Sequence, residues 1–391
     1  MTYDFDTCFD RRGTGSLKWD VPEGVIPLWV ADMDFPTAPV VRDALAARVE
    51  TGIFGYSVVP EEWYAAYIDW WRERHGVTFD PSWLTFTTGV VPALSSMVRK
   101  LTTVGENVLI QTPVYPIFFN SILNNGRHVL ENPLRYDGVS YSMDFEDLER
   151  KLALPETSLM ILCNPHNPIG KIWDAETLGR VGELCRKYHV LVISDEIHCD
   201  LTAPGVSYVP FSSVSPECRE GSVTCIAPTK AFNLAGLQTA CVVASDPTLR
   251  HRVARGLNTD EVAEPNAFAV TAAVSAFREG GTWLDELRAY LFANKRFVAD
   301  TLAGALPEVE VILGDATYLL WLDCSRITPS AAPLARFLKE EAGVMLSDGG
   351  EFGQGGEAFL RLNAACPRAT LTEGLRRLTH GIRNYQARGS V

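Results

Sequence analysis

The 391-residue sequence has no apolar run approaching the length of a membrane span and no basic, apolar leader at its start. A spanning helix needs about 20 mostly apolar residues, so a membrane location is not expected and the cytoplasm is the default compartment. Positive charge is in deficit. The 35 Lys and Arg against 48 Asp and Glu leave a formal charge of -13, spread along the chain rather than gathered in a tail. That balance argues against nucleic acid and anionic membrane as partners. No C-x-x-C pair occurs, and the nine cysteines, an odd number, are irregularly spaced. Neither a disulfide framework nor a structural zinc site is expected, and thiols in apolar runs, such as Cys163 and Cys225, should pack as small hydrophobes. Internal repeats and low-complexity linkers are also missing.

What is present is the composition of an ordinary enzyme, 47% hydrophobic and 21% charged, in a chain long enough for a large core and more than one domain. Helical and strand-like patterns alternate. EEWYAAYIDWWRERHG (61–76), VPALSSMVRKLT, FEDLERKLA and AETLGRVGELCRKYH have helical spacing. Between and after them come the strand-like runs SWLTFTTG, ENVLIQTP, SLMILCNP, VLVISDE, SVTCIAP and QTACVVAS. Short apolar runs separated by long helices imply crossover connections, hence an α/β unit with a mostly parallel sheet covered on both faces. From about residue 281 the texture shifts to one long helix, the strands VEVILG, TYLLWLDC and AFLRLNAA, and a final helix. The expected division is a large α/β domain over 45–280 and a smaller α+β domain formed by 281–391 with the N-terminal arm, 1–44.

In open α/β sheets, ligands collect beyond the carboxyl ends of the strands. Four such ends stand out. TTGVVPALSS (87–96) turns from strand to helix at a glycine, where the free amides of Gly89, Val90 and Val91 would suit a phosphate, or where the glycine merely makes a turn. In CNPHNPIG (163–170), two X-Pro steps hold Asn164 and Asn167 in a stiff turn that is either a plain connection or a ligand contact. VLVISDEIHCDL (190–201) gathers Asp195, Glu196, His198, Cys199 and Asp200. In an extended chain Asp195 and Ile197 would face one way and Glu196 and His198 the other. With no second His or Cys cluster to supply further ligands, no metal site is expected. Finally, IAPTKAFNLAGLQTA (226–240) carries Lys230, either a surface lysine or, at a dry strand end, an amine whose pKa falls from about 10.4 and which serves as nucleophile and base. A strand-end Asp, an upstream Asn and a downstream Lys suit pyridoxal phosphate, which needs a lysine to carry it, a carboxylate at its ring nitrogen and a cradle for its phosphate.

The order G-V-V, N-P-H-N-P-I-G, S-D-E-I-H, P-T-K and F-L-R-L-N resembles the fold-type I pyridoxal-phosphate enzymes of the class I/II aminotransferase family, over nearly the whole chain. Within that family, D-R-R-G-T-G-S-L-K-W-D (10–20), P-L-W-V-A-D-M-D-F (27–35) and F-N-L-A-G-L-Q (232–238) resemble the MalY/PatB-type carbon–sulfur β-lyases. The resemblance implies that Lys230 carries the cofactor and acts as catalytic base, that Asp195 pairs with the ring nitrogen, and that Asn167 and His198 flank the ring oxygen. Tyr115 would lie against the ring face, the alternative being plain aromatic packing. Gly89, Val90, Val91 and Thr229 would hold the phosphate, with Tyr56 reaching it from the second subunit of a homodimer. Arg361 would clamp the substrate carboxylate, the alternative being an edge-strand surface arginine.

Many relatives have Ser and Arg on the phosphate where this chain has Ala227 and Gln238, so the cradle has less positive charge. The implied reaction is α,β-elimination of L-cystathionine or a related sulfur amino acid. The rivals are transamination on the same fold and, in another class, a regulator that binds a partner protein. Arg11, Arg12 and Lys18 are expected to pack across the dimer rather than edge the active site, and Trp29 and Asp34 to approach the substrate.

Overall fold

Six of the strand-like runs, joined by a seventh strand, His128–Glu131, that the pattern did not mark, pair into one sheet in the computed structural model, which describes residues 2–389. They are β1 (Leu84–Thr87), β2 (Asn107–Ile110), β3 (His128–Glu131), β4 (Thr157–Cys163), β5 (Leu191–Asp195), β6 (Ser222–Ile226) and β7 (Ala240–Val243). Their spatial order is β1-β7-β6-β5-β4-β2-β3. Neighbours from β6 to β3 are parallel, while β7 runs antiparallel to both β6 and β1. The mostly parallel sheet expected from the alternation is present.

Strand β4 shows why its sequence is apolar at nearly every position. Leu159, Ile161 and Cys163 face a core shared with Val90, Leu94 and Met97 of the helix after β1, whereas Met160 and Leu162 face a second core with Leu178 and Val181. Both faces are covered, so alternation with polar residues is lost. Each such aliphatic side chain, fully buried, contributes about 1.5–3 kcal/mol.

A second, antiparallel sheet follows, made of β8 (Glu310–Ile312), β9 (Leu319–Asp323), β10 (Ser347–Asp348) and β11 (Phe359–Asn363) in the order β8-β9-β11-β10. Period two divides its faces. Leu320, Leu322, Leu360 and Leu362 pack with Val298, Leu302, Leu371 and Leu375 of the flanking helices, and Trp321 and Arg361, paired in register, take the opposite face. The N-terminal arm joins this unit: Leu28 enters its core, and Ile26–Pro27 pairs in parallel with Val344–Met345. Among the described residues no helix is long and apolar enough to cross a membrane.

Candidate active site

A cavity of about 260 Å³ opens beyond the carboxyl ends of β1, β4, β5 and β6. Gly89, Val90, Val91, Tyr115, Asn167, Asp195, His198, Thr229 and Lys230 all line it, together with Gln238 and Ala31. Tyr56 does not. It lies between two helices, fully exposed, away from the cavity of its own chain.

Lys230 follows β6 by four residues. A turn closed by Phe232 N to Pro228 O and Leu234 N to Thr229 O carries it over the cavity, where its Nζ donates to Ala31 O at 2.7 Å. Burial, aided by the Arg361 charge, lowers its pKa to about 8, against the opposing pull of Asp32 and Asp195. The neutral, nucleophilic amine is therefore far more abundant near neutrality than it would be for an exposed lysine.

Asp195 is the last residue of β5 and is 5% exposed. Burial raises its pKa to about 6, while the Ile197 amide, donating to Oδ1 at 3.2 Å, and the Lys230 charge pull the other way. A cationic N–H partner would hold it ionised. His198 reaches the same cavity, contrary to the alternation expected of an extended chain. After Asp195 the chain turns, with Cys199 N to Glu196 O and Leu201 N to His198 O, both 2.9 Å. Burial and then the charges of Lys230 and Arg361 lower the His198 pKa to about 3, so the ring is neutral, and its buried Nδ1 has no partner.

The two asparagines of the N-P-H-N-P turn separate. Asn164 is structural: its Oδ1 accepts from Trp173 N and its Nδ2 donates to Val209 O. Asn167 lines the cavity and accepts from Arg361 Nη1 at 3.2 Å. Arg361 lies on β11, interior to the small sheet between β9 and β10, so it is not an edge-strand surface residue. Its Nη2 donates to Trp29 O at 2.9 Å and to Ser347 Oγ at 3.4 Å, its Nε has no partner, and the guanidinium sits over the Phe352 ring. No carboxylate pairs with it among the described residues. Burial lowers its pKa to about 10, which still leaves it charged. A buried cation bound only to neutral oxygens suits an anionic ligand.

The helix α2 (Val90–Leu101), which follows α1 (Glu61–His75), starts at Gly89 without a side-chain cap, and Pro92 in its first turn has no N–H. The amides of Gly89 to Val91 are thus left for a ligand, and the helix end favours an anion. A Cβ at Gly89 would stand 3.2 Å from Pro92 Cδ. Gln238, at φ 54°, lines the cavity, whereas Ala227 packs in the core beneath. Tyr115 has its ring edge-on to Phe118, and burial raises its hydroxyl pKa. These donors fit a phosphorylated, ring-bearing aldehyde: an amine for the carbonyl, a carboxylate for a ring N–H, a neutral imidazole with an orphaned nitrogen, and a helix start for the phosphate.

The basic arm is tied down by ion pairs within its own chain. Arg11 Nη1 and Lys18 Nζ hold Asp34 at 2.7 and 2.8 Å, Trp19 Nε1 donates to it at 2.8 Å, and Arg11 Nη2 holds Asp32 at 2.9 Å. Lys18 is fully buried. Arg11 and Lys18 thus make their ion pairs within their own chain, and Asp34 is held by three donors. Arg12 lies over the Trp19 ring. The segment so anchored presents Trp29 O to Arg361 and Ala31 O to both Lys230 and the Tyr318 hydroxyl, the last at 2.9 Å. Sequence reasoning missed Ala31, Asp32 and Tyr318, because a carbonyl contact leaves no signature in side-chain type.

The model of the family described as aminotransferase class I and II matches residues 23–378. The chain is 43% identical to cystathionine beta-lyase PatB of Bacillus subtilis over 380 residues, covering 96% of this chain and 98% of the relative. It is similar in structure to a PLP-bound putative aminotransferase from Clostridium difficile (TM-score 0.94, 35% identity, 97% and 100% covered). It is similar also to the PLP-bound C-S lyase from Staphylococcus hominis (TM-score 0.91, 33% identity, 98% of each chain). With matches that run through both sheets and every strand end around the cavity, the chain belongs to the class I and II aminotransferase family.

Proposed function

We propose that the protein is a pyridoxal-phosphate-dependent carbon–sulfur β-lyase that cleaves L-cystathionine or a related cysteine S-conjugate to a thiol, pyruvate and ammonia. The observation that carries the reading is Lys230, an amine brought to a pKa of about 8 at a strand end facing Asp195, in a chain 43% identical to a cystathionine beta-lyase. When bound, the cofactor supplies the electron sink that stabilises negative charge at the substrate Cα.

The protein's residues do the rest. Lys230 would carry the cofactor, and its amine is placed to take the proton from the substrate Cα. Asp195 holds a proton on the ring nitrogen. Asn167 and His198 would hold the ring oxygen, Tyr115 would lie on the ring face, and Arg361 would clamp the substrate carboxylate. The amides of Gly89, Val90 and Val91, with Thr229 and Gln238, hold the phosphate. A second copy of the chain supplies Tyr56 to the same phosphate. Departure of the thiolate from Cβ, with water entering, leaves pyruvate and ammonia.

Transamination would use the same Lys230, Asp195, Asn167 and Arg361, and the Clostridium difficile neighbour is described as a putative aminotransferase. The separating experiment supplies L-cystathionine without a keto acid and follows pyruvate and free thiol. Equal yields of both are expected, and both should vanish in Lys230→Ala along with the visible absorption of the lysine-bound cofactor. Conversion only when a keto acid is added would replace the lyase by an aminotransferase.

A further inference from the structure

Behind the cavity wall, the turn that follows β5 points a different set of side chains the other way. Cys199 and Asp200 meet His75, the last residue of α1, and one donor atom from each lies within 4.8 Å of the others. His75 Nε2 stands 2.9 Å from Asp200 Oδ1. These residues share a second cavity of about 450 Å³, formed with Tyr208, Arg74 and Arg288 and separate from the one that holds Lys230.

We propose that His75, Cys199 and Asp200 form a binding site for one divalent, zinc-like cation, with a fourth position open to this cavity. A sulfur, a nitrogen and a carboxylate oxygen are the donors zinc favours, and three protein ligands with one open place is a common zinc arrangement. In a tetrahedral site with bonds of about 2.0–2.3 Å, neighbouring donors stand roughly 3.3–3.8 Å apart. The His75–Asp200 pair would spread by a few tenths of an ångström, and Cys199 would close in from within its present 4.8 Å.

The surroundings supply further support. Trp70 Nε1 donates to Asp200 Oδ1 at 2.9 Å, the kind of outer contact that orients a ligating carboxylate. Glu196, fully buried behind the turn, accepts from Ser194 Oγ at 2.8 Å and Phe211 N at 3.1 Å through Oε1, and burial raises its pKa to about 7. The neighbouring Tyr208 hydroxyl donates to Asn164 O. The cations at the rim are engaged elsewhere: Arg74 grips Asp285 with both nitrogens, and Arg288 donates to Thr202 and Ala203. Asp200 therefore faces the site with no cation paired to it except His75. On binding, the Cys199 thiol proton leaves to solvent and His75 presents an unprotonated ring nitrogen to the ion. The ion would bracket the end of α1 to the turn that carries His198.

The test uses the cofactor-loaded protein, stripped with a chelator, re-exposed to zinc chloride and passed through gel filtration, with zinc measured by atomic emission. One zinc per chain is expected, with a rise in Tm, and cobalt chloride should give a thiolate-to-metal absorption in the difference spectrum. Cys199→Ser and His75→Gln should each weaken binding by about 100-fold or more and Trp70→Phe by about 10-fold, while Cys8→Ser, which removes the exposed thiol, should keep one zinc per chain. Should a variant misfold, the wild-type stoichiometry and the cobalt spectrum still decide. Less than stoichiometric zinc on the wild type, zinc unaffected by Cys199→Ser, or zinc lost in Cys8→Ser would each overturn the proposal.

Discussion

Lys230 is set apart by its surroundings. Its neighbours in sequence are small and uncharged, and the fold places its amine against Ala31 O, in the cavity at the strand ends. Because burial lowers its pKa to about 8, the neutral amine predominates above that pH and the protonated amine below it. Attack on the cofactor's carbonyl needs the neutral form. The rate at which cofactor-stripped protein takes up pyridoxal phosphate, followed by visible absorption, should therefore rise with pH up to about 8 and then level off. An exposed lysine would keep gaining toward about 10.4, and such a continued rise would show that the amine is not desolvated. Asp195, Asn167 and Lys230 were legible as strand-end residues, because strand ends follow from apolar runs that can be read directly. The roles of Arg11, Lys18 and Asp34 were not legible, since charge pairing between residues 16 to 23 positions apart has no period.

At the scale of elements, the site depends on how closely two turns cross. Gly170, which ends the turn carrying Asn167, has φ 66°, and a Cβ there would stand 2.7 Å from Ala316 O. Gly314 opposite has φ 58°, and its Cβ would stand 2.5 Å from Ile169 O. The two backbones are joined by Ala316 N to Gly170 O at 2.9 Å. Gly170→Ala should cost about 2–3 kcal/mol through left-handed strain and backbone overlap. A lowered Tm and a raised KM, from displacement of Asn167 beneath Arg361, are the expected readings; an unchanged Tm would show that the crossing has slack. The alternation of strands and helices was legible in the sequence. The helices Pro39–Glu50, Pro247–Thr259 and Ala269–Glu279 were not. The first buries only Val41 and therefore shows almost no apolar stripe, and the third is a run of small residues buried by its neighbours.

For the whole molecule, the exposed loop after residue 50 matters most. Ile53, Phe54, Tyr56 and Val58 are all exposed there, Tyr56 completely, an apolar strip of the kind that a second subunit covers. The proposed dimer, with Tyr56 serving the partner's phosphate site, makes a quantitative prediction. Lys230→Ala and Tyr56→Ala chains, each nearly inactive alone, should form on mixing a dimer with one intact site. With random exchange about a quarter of the wild-type activity should return. Failure to recover activity, with exchange verified by mass, would place Tyr56 outside the partner's site.

The sequence by itself determined the α/β alternation, the strand ends where chemistry gathers, and the family, because these rest on local periodicity and on short motifs whose geometry is set within a few residues. The tertiary structure decided the rest. It turned His198 to the side of Asp195, enclosed Arg361 within a sheet, tied up Asp34 with the N-terminal arm, and brought His75 from α1 against Cys199 and Asp200. His75 stands 124 positions before Cys199 in the sequence, and only the fold sets it beside Cys199 and Asp200. Such meetings depend on how helices cross a sheet, and packing of that kind leaves no trace in the spacing of residues along the chain.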